Sequence, residues 1–180
     1  MLTKFKSYDK QNYGHKDKTI VLEALFDEFP PIHKLPKHSM QNFWDNQFPA
    51  CFTINPNTFN ILNAIKREMK VAIITNGSTL RQKAKIFNTY LHRYFNLIII
   101  SEEVGMSKPD KRIFELALKK LEVQPKSALF VGDDFEKDIA GCQNAYMKGI
   151  WFNPDKNLNN TEIKPYAEIY SLDQLVSFIE

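Results

Sequence analysis

Apolar and polar residues follow two alternating patterns along the chain from residue 56 onward. Short runs of consecutive apolar residues are separated by segments in which apolar residues recur every three or four positions. The first pattern is typical of strands buried on both faces of a sheet, and the second of amphipathic helices. The predicted strands are 71–75, 97–100, 128–131, 149–152 and 167–170.

Helices of 10–15 residues are predicted between these strands. Asn55 and Pro56 form a cap followed by a proline in the first helical position, which marks a helix start. The predicted inward faces are Ile61, Leu62, Ile65 and Met69, then Leu80, Ala84, Phe87 and Leu91, then Ile113, Leu116, Ala117 and Leu121. Alternating strands and helices predict right-handed β-α-β units, and therefore an α/β fold in three layers, a parallel sheet with helices on both faces.

The first 55 residues have a different, helical character. Residues 19–29 have helical spacing and end at Pro30, and residues 39–48 form a second short helix. Read as a strand, 19–29 would bring Asp27 to a strand tip, but the spacing favours a helix. The aromatic residues of 39–48 are candidates either for the core or for stacking on a base. We predict a helical segment, 1–55, and an α/β core, 56–180.

Composition narrows the function. The 180 residues carry 24 Lys+Arg against 21 Asp+Glu, and a net charge of +3 gives no argument for a nucleic-acid partner. No apolar run is long enough to span a membrane, and the start lacks the apolar region of a signal peptide. Cys51 and Cys142 are too far apart for a C-x-x-C motif, so we expect two buried thiols in a reducing compartment, the cytoplasm.

Polar side chains follow three of the strands, where ligands of parallel sheets bind. Thr75 and Asn76 end the first strand just before a helix, an arrangement that is either a phosphate cradle or an N-capped turn. Lys108 precedes Pro109 at the start of the next helix, where it either reaches a bound anion or lies on the surface.

The third strand is followed by GDDFEKD. Asp133 and Asp138 are one helical turn apart and can share one hard cation, for which Mg²⁺ is suited; Asp134 is a weaker candidate ligand. The alternative is helix capping with acidic residues in the first turn. Capping accounts for one aspartate better than for a cluster.

Together, AIITNG, SKPD and VGDDFEKDI resemble three motifs of the haloacid dehalogenase superfamily of phosphohydrolases, in particular nucleotidase-like members with a helical cap. The resemblance implies that Thr75 and the N–H after it hold the transferring phosphoryl group. It further implies that Lys108 balances charge as a catalytic residue and that Asp133 and Asp138 carry Mg²⁺. The substrate would be a small phosphomonoester such as a nucleotide or sugar phosphate, and residues 1–55 would be part of the cap.

The first motif of that family, D-x-D-x-T on the central strand, has no counterpart here. Its first Asp is the nucleophile that forms an aspartyl-phosphate, and its second is the general acid and base. None of the ten Asp residues of this sequence lies two positions from another. We therefore expect a shortened phosphatase, from a truncated gene, a misassigned start or a clipped product, with little or no activity.

Two alternatives remain from the sequence. The chain could be a non-catalytic phosphate-binding or regulatory module, or a fragment completed by another chain, including a second copy in a homo-oligomer. Completion is reasonable because loss of a central strand leaves the edges of its neighbours unpaired. A receiver domain, which also uses Asp, Thr and Lys, is disfavoured because its acidic residues should precede the Thr.

Overall fold

The computed structural model describes residues 4, 7, 8 and 17–179. The chain divides into two compact units, Met1–Phe52 and Thr53–Glu180. The predicted boundary after residue 55 lies three residues beyond this division. That the first unit is part of a cap stays a prediction.

The described part of the first unit is helical. It contains α1 (Thr19–Glu28), α2 (Lys37–Gln47) and a 3₁₀ turn (Phe48–Cys51). Helix α1 ends just before Pro30 and Pro31, which cannot continue it. The strand alternative for residues 19–29 is therefore wrong. Trp44 is buried together with Leu22 and Met40, and its ring stacks on Phe48 with centroids 3.8 Å apart. These contacts place Trp44 in the core of the unit.

The second unit alternates helices and strands as predicted. Its helices are α3 (Pro56–Glu68), α4 (Thr79–Asn88), α5 (Ser101–Val104), α6 (Lys111–Leu121) and α7 (Gly141–Asn144). Its strands are β1 (Ala72–Thr75), β2 (Leu97–Ile100), β3 (Leu129–Gly132), β4 (Lys148–Phe152) and β5 (Ala167–Ile169). A π-helix (Phe135–Ala140) leads into α7, and 3₁₀ turns cover Leu91–Arg93, Pro125–Ser127 and Leu172–Phe178. All five predicted strands are confirmed to within one residue at each end.

The five strands form two parallel sheets, β1-β2 and β3-β4-β5. Thr75 is in register with Ile100 in the first sheet, and Gly132 with Trp151 in the second. In the described part of the chain β1 pairs only with β2, and β3 only with β4. The residues of β1 and β3 are half-buried, whereas burial on both faces was predicted. Each of these strands has a neighbour along only one edge, which leaves more of it exposed.

One hydrophobic core serves both sheets. Helix α6 supplies Ile113, Phe114, Ala117 and Leu118, all buried. The ring of Phe114 lies edge-on to Phe130 of β3 with centroids 5.0 Å apart, and Ile74 of β1 packs against the same cluster. The core therefore fixes the carboxyl ends of β1 and β3 within one packed unit.

The predicted inward face of α4 is wrong in part. Leu80 and Phe87 are 60% and 54% exposed, whereas Ile86 is 5% exposed and forms the buried contact. The Phe87 ring instead stacks on the imidazole of His92 with centroids 4.3 Å apart. A spacing of three and four residues fits more than one stripe of this helix, and tertiary packing selects the stripe that contains Ile86.

Candidate functional site

Asn76 joins the end of β1 to the loop that carries Lys108. Its Oδ1 accepts a hydrogen bond from the Lys108 N–H at 2.9 Å, and its Nδ2 donates to the Lys108 carbonyl oxygen at 2.9 Å. The side chain thus satisfies both main-chain groups of one residue 32 positions away. This pair of bonds, the Asn76 clasp, fixes the point from which the lysine side chain extends.

The turn after Asn76 requires glycine and is stabilised from the next strand. Gly77 has φ +139°, and a Cβ there would lie 2.7 Å from Gln82 Nε2. The Gly77 N–H donates to Ser101 Oγ at 3.0 Å, the Thr79 N–H donates to the Glu102 carboxylate at 2.8 Å, and Ser78 caps α4. The N-capped turn is thus present, and two of its N–H groups have protein partners. The phosphate role of Thr75 and Asn76 stays a prediction.

Asp134 is the aspartate that the capping interpretation explains. Its carboxylate accepts from the Lys137 N–H at 2.9 Å and pairs with Lys137 Nζ at 2.5 Å. Partial burial works to raise its pKa. The hydrogen bonds from Lys137 and the positive charges of Lys137 and Lys108 outweigh burial, so the pKa of Asp134 lies below its ordinary value. Asp134 therefore acts as a helix cap in this structure, in keeping with its weaker standing as a metal ligand.

Asp138 lies inside the protein against Lys108. Its side chain is 5% exposed and that of Lys108 is 13% exposed, and Asp138 Oδ1 lies 2.6 Å from Lys108 Nζ. Oδ2 accepts a hydrogen bond from the Asp134 N–H at 3.1 Å. Oδ1 is buried and receives no hydrogen bond of good geometry from the described residues, so its contact with the ammonium is an ion pair.

Two neighbours shape this ion pair. Lys108 Nζ lies 5.3 Å from the centroid of the Phe130 ring, which adds a cation–π contact. Asp138 packs directly over Gly132 at the end of β3, where any Cβ would overlap the carboxylate. The π-helix that carries Asp138 is of a kind found often at functional sites, since its extra residue re-aims a side chain.

The structure brings together some of the predicted site residues. Among the described residues, hydrogen bonds and ion pairs connect Asn76, Lys108 and Asp138, while the hydroxyl of Thr75 and the carboxylate of Asp133 lie outside this network. Asp133 is exposed and contributes its main-chain oxygen, which accepts from Trp151 Nε1 at 3.2 Å. Its role as a metal ligand stays a prediction.

The predicted Mg²⁺ fits these residues in kind but not in number. The buried Asp138 carboxylate is an oxygen donor of the kind that a hard cation prefers, although its Oδ1 already pairs with Lys108, and Asp133 can add a second carboxylate. In the part of the chain that the structure describes, no three His, Cys, Asp or Glu side chains are grouped so that they could hold a metal ion. Further ligands would have to be water, the substrate or a carboxylate outside this set.

Sequence reasoning missed the Asn76 clasp and the packing of Gly132 under Asp138. The position of Gly132 between a strand and an acidic cluster is a sequence signal for its close packing against Asp138. Nothing in the residue spacing indicates the Asn76 clasp. The burial predicted for both thiols is confirmed for Cys142 and wrong for Cys51, which is exposed. Burial, and then the charge of Asp138, raise the pKa of the Cys142 thiol to about 12, so Cys142 is not a nucleophile at neutral pH.

A parallel α/β unit with these side chains at the carboxyl ends of its strands defines a Rossmann-like fold. The chain belongs to the haloacid dehalogenase-like hydrolase family, whose model matches residues 8–152. It is 40% identical to the pyrimidine 5'-nucleotidase YjjG of Escherichia coli over 121 residues, 67% of this chain and 54% of that protein. It is 32% identical to the phosphoserine phosphatase of Thermus thermophilus over 115 residues, 64% of this chain and 46% of that protein.

The fold resemblance extends further along the chain. The magnesium-bound crystal structure of the HAD-hydrolase YfnB from Bacillus subtilis superposes with a TM-score of 0.81 at 22% identity, covering 99% of this chain and 80% of that one. The chain spans about half the length of the relatives that it matches by sequence. None of the helices described here has the length and apolarity needed to cross a bilayer.

Proposed function

We propose that this chain provides the phosphate-binding and metal-binding part of a phosphohydrolase for small phosphomonoesters, such as a nucleotide or sugar phosphate. The observation that carries the proposal is the buried Lys108–Asp138 pair, held by Asn76 at the carboxyl edge of the parallel strands. An anchored ammonium can neutralise the charge of a phosphate, and the carboxylates beside it can neutralise the charge of a cation. The two kinds of side chain together suit a site that binds both. The nucleotidase and phosphatase relatives support this substrate class.

Each residue has a separate task in this proposal. Lys108 places a point charge on the phosphate oxygens, and the hydroxyl of Thr75 donates to one of them. Asp133 and Asp138 hold Mg²⁺, which when bound supplies neutralisation of the developing phosphoryl charge. Asn76 keeps the lysine in place through its clasp and leaves its own main-chain N–H as the candidate phosphate donor.

The nucleophile is the part that this sequence does not identify. Without two aspartates two positions apart, the aspartyl-phosphate route needs a carboxylate that another segment or chain supplies. We therefore propose that the chain by itself hydrolyses phosphomonoesters weakly or not at all, and that it acts in the cytoplasm.

The test separates binding from turnover. With Mg²⁺ and p-nitrophenyl phosphate we expect no turnover above the blank, whereas isothermal titration with inorganic phosphate should detect binding. Lys108→Gln should weaken that binding about tenfold or more. The matched control is Lys111→Gln, since Lys111 is exposed and pairs with Glu115; it should bind as the unaltered chain does. Robust turnover that Asp133→Asn abolishes and Asp27→Asn does not would show an unrecognised nucleophile, and absence of phosphate binding would contradict the site.

The strand pairing favours a second candidate, a site completed by another strand. Within the residues that the structure describes, one edge of β1 and one edge of β3 are unpaired, and one extended segment could pair with both. Size-exclusion chromatography with light scattering discriminates the forms. An obligate homo-oligomer supports completion by a second copy, and a monomer at all concentrations argues against it.

A further inference from the structure

We infer that Ser101 is a positioning residue for the phosphate site, because its hydroxyl holds the peptide from which the Asn76 clasp extends. This role rests on the part that Asn76 and Lys108 play in phosphate binding under the proposed function, and it needs no metal ion. Ser101 directly follows β2, whereas the residues that would contact the phosphate follow β1 or precede α6. Its effect on phosphate must therefore pass through other residues.

The Ser101 hydroxyl contacts both main-chain polar groups of Gly77. The Gly77 N–H donates to Ser101 Oγ at 3.0 Å, and the hydroxyl donates to the Gly77 carbonyl oxygen at 3.4 Å. A hydroxyl has one proton to donate and two lone pairs to accept with, so one side chain can make both bonds. Ser101 is the first residue of α5, and the N-cap of that helix, Ile100, makes no side-chain cap bond. The described bonds of the hydroxyl are thus with the neighbouring turn and not with its own helix.

The peptide unit between Asn76 and Gly77 is held at both of its polar atoms. Ser101 accepts from the N–H of this peptide, and Gln82 Nε2 donates to its carbonyl oxygen, which belongs to Asn76, at 3.2 Å. Because a peptide unit is planar, bonds at its two opposite sides fix its orientation. Gly77 has φ +139° and the backbone freedom of glycine, so the turn itself does little to restrain this peptide. Loss of the Ser101 bond leaves the peptide held from one side only.

The Asn76 clasp passes the orientation of this peptide on to Lys108. The carbonyl carbon of the peptide and the side chain that bonds the main chain of Lys108 are attached to the same Cα of Asn76. A shift of the peptide therefore moves the side-chain amide of Asn76 and its main-chain N–H, the candidate phosphate donor. Lys108 follows through the clasp, so two of the groups proposed to bind phosphate depend on Ser101.

The effect of Ser101 on position can be separated from an effect on stability. Its bonds with Gly77 are exposed, and a hydrogen bond that water can replace adds little to the free energy of folding. Ser101→Ala should therefore fold and keep the urea midpoint of the unaltered chain. Ser101→Thr keeps the hydroxyl and is the conservative variant. Ser127→Ala is the matched control, since Ser127 is exposed and lies before β3, away from the carboxyl ends of the strands.

The first experiment is isothermal titration of the full chain and these variants with inorganic phosphate at neutral pH. We expect Ser101→Ala to bind phosphate about threefold to tenfold more weakly, the range that corresponds to the net loss of one hydrogen bond. Ser101→Thr and Ser127→Ala should stay within about twofold of the unaltered chain. Unchanged affinity of Ser101→Ala, or equal weakening by Ser101→Thr, overturns the role of Ser101 and leaves the phosphate site standing. Absence of phosphate binding by the unaltered chain overturns the proposed function, and the role of Ser101 with it.

The second experiment follows the path from Ser101 to Lys108 in the absence of phosphate. The main-chain N–H of Lys108 and the side-chain NH₂ of Asn76 are the two donors of the clasp, and NMR of the nitrogen-labelled chain records them as separate signals. Ser101→Ala should shift both signals, and Ser127→Ala should shift neither. A role of Ser101 confined to the turn at Gly77 would leave the Lys108 signal in place, and that result overturns the positioning role even where phosphate affinity falls.

Discussion

The amide of Asn76 forms two hydrogen bonds of 2.9 Å with the main chain of Lys108, one in each direction. These bonds join the tip of β1 to the loop before α6. The position of the Lys108 ammonium therefore depends on Asn76, although Asn76 contacts only the main chain of the lysine. An Asn directly after a strand thus positions a side chain of another strand–helix connection.

Asn76→Asp keeps an acceptor for the Lys108 N–H but loses the donor to its carbonyl oxygen. We expect a loss of about 1–3 kcal/mol in the free energy of unfolding, since one partly buried carbonyl is left facing a carboxylate. Urea unfolding measures this change. Asn88→Ala, at the exposed end of α4, is the control and should change stability by less than about 0.5 kcal/mol. Equal effects of the two substitutions would show that the clasp contributes nothing specific.

Gly132→Ala tests the packing of Asp138 over β3. The added Cβ would overlap the Asp138 carboxylate, so either the strand end or the π-helix must move. We expect a loss of about 1–3 kcal/mol in unfolding free energy, and weaker metal binding. Gly105→Ala has open space but φ +66°, so its cost of about 1 kcal/mol comes from the backbone alone and leaves metal binding unchanged. Unchanged metal binding by Gly132→Ala would contradict the position given to Asp138.

The depressed pKa of Asp134 makes stability depend on acid pH. Its pKa is lower in the folded chain than its ordinary value of 3.8, so its contribution is present above that pH. The contribution is lost as the pH falls below 3.8 through the folded-state pKa. The stability advantage of the unaltered chain over Asp134→Asn should therefore shrink in this window, as urea unfolding from pH 2.5 to 7 would show. In a Lys137→Met background the shrinkage should be smaller; an advantage independent of pH would contradict the capping role.

Much of the fold could be predicted because local patterns decide it. The run 97–100 is short and wholly apolar, which favours a buried strand, and Asn55 before Pro56 marks the start of α3. Gln174 Oε1 accepts a hydrogen bond from the Ser171 N–H at 3.2 Å, so a side chain only three positions away caps the 3₁₀ turn at Leu172–Phe178. Each of these features depends on residues close together in the sequence.

The candidate site was predictable only as a neighbourhood. The carboxyl ends of parallel strands lie at the same edge of a sheet, which predicts that Asn76, Lys108 and Asp138 lie close together. The structure confirms that proximity. Their partners depend on side-chain directions that tertiary packing fixes, so neither the clasp nor the burial of Asp138 follows from spacing. The same limit applies to the half-buried strands β1 and β3, whose exposure depends on which edges are paired.

Ile86→Ala and Leu80→Ala together test which face of α4 packs inward. Ile86 is 5% exposed and its truncation leaves a cavity, so we expect a loss of about 2–5 kcal/mol in the free energy of unfolding. Leu80 is 60% exposed on the same helix, and its truncation should cost less than about 0.5 kcal/mol. Urea unfolding measures the free energy of both variants. Both substitutions introduce alanine into the same helix, so the new residue has the same helix propensity in each. The reverse order of effects would favour the stripe that the spacing of apolar residues alone predicts, and would place Leu80 in a contact that the described residues lack.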